Sequence, residues 1–138
     1  MDFCAELAML IRSSCPDIIF THDPWKFYQI HKDHRTVGLT AIDAIVAARD
    51  HLFLPAQTAI GLEPFEIARL LFWSAQEPDY FEDITEFMEV KMKALSRHKS
   101  QVSIHSNWKE RICQWAQETG KPHGMAYAEG FKQIIFQK

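Results

Sequence analysis

The chain has 138 residues, 47% of them apolar and 24% charged, with a formal net charge of −3. Those values fit one globular domain that buries roughly two-thirds of its unfolded surface, and they exclude disorder. No apolar run approaches the ~20 residues of a membrane span, and three cysteines without a CxxC pattern are not a disulfide framework.

In chain order, Phe3, Leu7, Leu10 and Ile11 fall on one helical face, so the spacing predicts a helix over about residues 2–14 with Asp2 as N-cap. Pro16 stops it. Residues 17–21 form a short apolar run, read as a buried connector or a short strand. Asp23-Pro24 has the form of a helix start, opening a predicted helix with Trp25, Tyr28 and Ile30 that frays near Asp33 and breaks at Gly38. Thr40 and Asp43 approximate a capping box for a helix to about Phe53. Pro55 opens a short helix ended by Gly61. Glu63-Pro64 opens a strongly apolar one carrying Phe65, Ile67, Leu70, Leu71, Phe72 and Trp73, expected at the centre of the bundle. Pro78 opens the longest predicted helix, about residues 79–97. Residues 101–104 are a second strand-like run. Asn107 and Glu110 cap a helix with Trp108, Ile112 and Trp115, closed by Gly120 and Pro122. A last helix holds Met125, Ala128, Phe131 and Ile135. The predicted fold is therefore an all-α bundle of about six or seven helices in one domain over residues 1–138. A minor pairing of the two strand-like runs is the one admitted departure.

Cys4 and Cys15 lie in the first predicted helix, about 16 Å apart along its axis, too far to bridge. Free thiols and the absence of a basic lead before an apolar run point to a soluble, cytoplasmic protein. Charge is uneven: residues 1–90 hold six Lys/Arg against fifteen Asp/Glu, and residues 91–138 hold nine against three.

Four histidines form the candidate metal set: His22, His31, His34 and His51, with Asp33, Asp43 or Asp50 to complete it. His31 and His34 are three apart and share a helical face, and imidazole is the commonest metal ligand. Against this, His31, Lys32, His34 and Arg35 are expected near a helix C-terminus, where the dipole favours cations. His22-Asp23 is the dipeptide of HD-type metal phosphohydrolases, but no histidine precedes it and the helix start accounts for Asp23. No family is assigned. Residues 55–71 have the spacing of a helix-turn-helix, yet Glu63-Pro64-Phe65-Glu66 opens the second helix and only Arg69 is basic, which suits packing rather than DNA.

No nucleophile motif or phosphate-cradling glycine loop is present. The leading expectation is therefore a non-enzymatic protein–protein interaction module, a small regulator, inhibitor or adaptor without a cofactor. It would bind another protein through Glu77, Asp79, Tyr80, Glu82, Asp83 and Glu86 on the long helix, with self-association as a further option. One alternative is a metal-dependent, hydrolase-like enzyme built on the His/Asp cluster. Another is nucleic-acid binding by Lys91, Lys93, Arg97, Lys99, Lys109 and Arg111 beside Trp108 and Trp115.

Overall fold

The computed structural model describes residues 2–102 and 106–136. It shows a mixed α/β fold rather than the all-α bundle expected. The elements are α1 (Phe3–Ser14), β1 (Ile18–His22), α2 (Lys32–Arg49), α3 (Pro55–Ala59), β2 (Arg69–Trp73), β3 (Tyr80–Asp83), α4 (Met88–Arg97), α5 (Lys99–Val102), α6 (Trp108–Gly120) and β4 (Ala128–Ile135). The four strands form one sheet in the order β1-β2-β4-β3. β1 runs parallel to β2, with Ile18 opposite Arg69 and His22 opposite Trp73. β4 is antiparallel to β2, with Leu70 opposite Ile134. Contacts divide the chain into two compact units, residues 2–78 with 131–136, and Asp79–Gly130. Among the described residues no helix is long and apolar enough to cross a membrane.

The largest correction is at residues 63–73. The apolar run is not a central helix but β2, and residues 63–67 lead into it as irregular chain. An interior strand is covered on both faces, so it reads as a continuous apolar run that periodicity cannot tell from a buried helix. Leu70, Leu71 and Phe72 are all buried. The same change removes the helix-turn-helix reading, because its second helix does not exist.

The predicted helix over 79–97 is split. Tyr80-Phe81 favours a strand, and the Asp83 carboxylate accepts from Thr85 N at 2.9 Å and from its hydroxyl at 2.5 Å. That local bonding starts a 3-10 turn at Thr85–Phe87, and only Met88–Arg97 is α-helical. The predicted last helix is β4, whose β-branched Ile134 and Ile135 pair with β2. Of the second strand-like run, 101–102 end α5, while 103–104 lie outside the described residues. The strand-like reading of 17–21 is correct, but its partner is β2.

Residues 23–30 form turns rather than a helix. α2 then runs unbroken from Lys32 through Gly38 to Arg49. Gly38 is there for space: a Cβ would stand 2.6 Å from the carbonyl oxygen of His22 and 3.0 Å from Pro24 Cβ. This close approach presses the start of α2 against the end of β1. Gly38→Ala is expected to lower the melting temperature. The ~1 kcal/mol gained in helix propensity is outweighed by an overpacking cost of about 1–3 kcal/mol. Thermal unfolding followed by circular dichroism checks the sign.

The core of the first unit joins α1, α2 and the sheet through Ala8, Ile11, Ala44, Ile45, Ala48, Ile67, Leu70 and Phe72. Small residues on α2 let α1 come close. The second unit has its own core of Ile84, Met88 and Ala116, with Met92, Ile112 and Tyr127 against it.

Candidate functional site

Two parallel strands, β1 and β2, end side by side at His22 and Trp73. In open α/β sheets the carboxyl ends of parallel strands are where ligands bind, because the loops there are free to carry chemistry. Here the end of β1 and the start of α2 bring three imidazoles together. The rings of His22 and His34 stack at 4.0 Å with 9° between planes, and His31 lies 4.8 Å from His34. Of the candidate set, His22, His31 and His34 thus converge. His51 does not: it follows the far end of α2, about 25 Å away along the helix, exposed and 3.8 Å from the Asp50 carboxylate.

His22 has a defined tautomer. Trp73 Nε1–H donates to His22 Nδ1 at 2.9 Å, which leaves the ring proton on Nε2. Burial, then the neighbouring His34 and Lys26, hold the His22 pKa below the usual imidazole value, so the ring is neutral near pH 7. Nε2–H is its remaining polar group, a donor rather than a ligand atom.

His31 is the N-cap of α2 and His34 lies in its first turn. The expected C-terminal placement is thereby reversed. The N-terminal end of a helix dipole favours negative charge, which Asp33 supplies in the first turn, whereas Lys32 and Arg35 beside it gain nothing from the dipole.

The loops are anchored by Asp23, which is only 8% exposed. Its two carboxylate oxygens accept from Trp25 N at 3.0 Å and Gln76 N at 3.2 Å. Gln76 Oε1 in turn accepts from Phe27 N at 2.9 Å. Both loops also contain a non-glycine residue in the left-handed region, Tyr28 at φ 57° and Ser74 at φ 58°, a strain that persists where packing over-determines it. Asp23 is a clamp between loops, not the helix cap expected.

Fit to a metal ion is partial. Among the described residues no group of three His, Cys, Asp or Glu side chains is placed to hold one. With His22 committed to Trp73, His31 and His34 are the donors this cluster offers, short of the three protein ligands of a catalytic zinc site. Cys4 is no nucleophile candidate: burial, then Asp2 and Asp43, push its thiol pKa up.

The residues of the acidic surface do not share a helix face. Glu77 lies in the loop after β2, Tyr80, Glu82 and Asp83 in β3, and Glu86 in the 3-10 turn. Tyr80 OH bonds Glu82. In the basic third, Lys91 pairs with Glu129 and Lys93 with Glu89. Arg97 ends α4 and Lys99 begins α5. Lys109 and Arg111 are on α6, with Lys109 Nζ 5.7 Å from the Trp108 ring centre.

No family model matches the sequence. The chain is 35% identical over 131 residues to the diacetylchitobiose deacetylase of Thermococcus kodakarensis, a match covering 94% of the chain and 49% of that protein. Its fold superposes on the N,N′-diacetylchitobiose deacetylase of Pyrococcus horikoshii with a TM-score of 0.87 and 32% identity, over 96% of the chain and 51% of the other. A hydratase from Pseudomonas putida KT2440, acting on 4-carboxy-2-hydroxymuconate, has a TM-score of 0.75 at 19% identity, over 98% of the chain and 59% of the other. That last likeness shows the fold alone, since one fold hosts unrelated reactions. The chain spans about half the length of the relatives it matches. These similarities to small-molecule enzymes overturn the expectation of a non-enzymatic interaction module whose partner is another protein.

Proposed function

We propose that this chain forms part of the active site of a metal-dependent N-deacetylase acting on acetamido sugars. The observation that carries the reading is the convergence of His22, His31 and His34 at the carboxyl ends of β1 and β2. The support for the substrate class is the similarity to deacetylases of diacetylchitobiose.

In this reaction water adds to the acetamide carbonyl, the C–N bond breaks, the sugar amine leaves with a proton, and acetate is released. His31 and His34 are the imidazoles of this cluster that would hold a divalent ion. Such an ion, when bound, supplies Lewis-acid polarisation of the amide carbonyl. His22 presents its Nε2–H to a substrate oxygen, with Trp73 holding the tautomer. The positive end of α2 favours the negative charge that develops as water adds. Asp23 fixes the two loops so that the cluster keeps its geometry. The three unpaired cysteines support a reducing, cytoplasmic setting.

The test is hydrolysis of N,N′-diacetylchitobiose in the presence of Zn²⁺. Acetate and free amine are expected in equal amounts, with release stopped by a chelator. No acetate above the blank, with the protein folded and zinc present, contradicts the reading.

A further inference from the structure

The second unit carries a groove that the deacetylase reading does not use. Along α6, Trp108, Arg111, Ile112, Trp115 and Glu118 recur at helical spacing and share one face. α4 ends at Arg97, and the chain turns at His98, whose carbonyl accepts from Gln101 N at 2.9 Å and Val102 N at 3.1 Å. That turn starts α5 and sets Val102 with Leu95 as the apolar wall facing α6, across a groove of about 570 Å³. The volume falls within the roughly 300–1,000 Å³ of sites for small organic ligands. Ile112 packs on the core of this unit, which fixes the floor. Trp115 stays 59% exposed, and an open indole offers a large apolar face for a flat ring to cover.

The charged groups of the lining give the groove a direction. Gln114 Nε2 donates to Glu118 Oε1 at 2.7 Å, so these two side chains serve each other. Arg111 has no such partner: among the described residues no carboxylate pairs with it. Glu118 follows Arg111 by seven residues, about 10 Å along the helix axis, so the groove is positive at one end and negative at the other. A guanidinium fork matches the two oxygens of a carboxylate. We infer that the groove between α4, α5 and α6 binds a flat aromatic carboxylate. The ring lies against Trp108 and Trp115, and the carboxylate meets Arg111. The site belongs to the second unit and the histidine cluster to the first, so the inference stands or falls apart from the deacetylase reading.

Titration with 2-naphthoate, followed through the indole N–H signals of the four tryptophans by nuclear magnetic resonance, tests this. The Trp108 and Trp115 signals are expected to shift together and saturate with a Kd below about 1 mM, while Trp25 and Trp73 do not follow them. The uncharged 2-naphthamide is expected to bind about fivefold more weakly or worse, for want of the charge-assisted pair. Arg111→Gln is expected to bring the naphthoate affinity down to that of the amide. Trp115→Ala is expected to abolish the shift at Trp108, and Trp115→Phe to retain it, which separates lost stacking from a folding defect. Unmoved Trp108 and Trp115 signals overturn the site. So does equal affinity for the acid and the amide, or an Arg111→Gln variant that binds naphthoate as the wild type does. Trp108 and Trp115 signals that move with protein concentration alone place a second copy in the groove, and that result also overturns it.

Discussion

Arg12→Ala is expected to lower stability by about 3–5 kcal/mol, because each buried carbonyl left without a donor costs about 1–3 kcal/mol. Arg12 is an α1 residue only 3% exposed. Its Nε donates to Ala48 O at 3.0 Å, and Nη2 donates to the carbonyls of Ala47, Asp50 and Phe53 at 3.0, 2.9 and 3.1 Å. Nη1 reaches Leu54 O and Gln57 Oε1, each at 3.4 Å. One guanidinium therefore closes the end of α2, where carbonyls lack intrahelical partners and the dipole favours a cation. It also ties down the chain that leads into α3. For a chain this size the loss corresponds to a fall of roughly 10–20 °C in melting temperature, a large share of a typical 5–15 kcal/mol total. Arg12→Lys is expected to recover less than half, since a single ammonium cannot reach six acceptors. Urea and thermal unfolding check both variants. A fall below about 3 °C for Arg12→Ala would contradict this role.

Arg12 also shows what a sequence hides. Its place in an amphipathic helix was legible, but its function is set by carbonyls more than thirty residues away. The helices α1 and α6 were legible because each has one apolar face and a boundary residue. β2 was not, because Leu70, Leu71 and Phe72 are covered from both sides and leave no period to read. β3 was hidden by acidic residues that fit a helix start equally well. At the site, the His31/His34 pair is visible from its spacing, but the spacing does not say which end of a helix carries it, and the structure places it at the N-terminus of α2. Asp23-Pro24 has the form of a helix start, so the sequence predicts a helix carrying Trp25, Tyr28 and Ile30 where the chain forms turns. The Trp73–His22 bond depends on the register of β1 against β2, fifty-one residues apart, and no local pattern announces it.

His34→Ala is expected to reduce acetate release at least a hundredfold with little effect on stability. His34 touches both other imidazoles, so its removal takes one of two donors and the ring that stacks on His22. Loss of one positioned acid–base or ligand group commonly costs 10²–10⁴-fold in rate. The ring is only partly buried, and alanine is the best helix former, so α2 should persist. Zinc affinity is expected to fall in parallel, about 10-fold or more, which separates a ligand from a residue that merely packs. His51→Ala, far from the cluster, should leave both quantities unchanged.

The most direct measurement compares the initial rate of acetate release from N,N′-diacetylchitobiose by the wild type and by His34→Ala, at saturating zinc and with matched circular dichroism spectra. The account expects steady release by the wild type and less than one-hundredth of it from the variant. Equal rates from the two folded proteins would show that the imidazole cluster at the ends of β1 and β2 is not where the chemistry occurs.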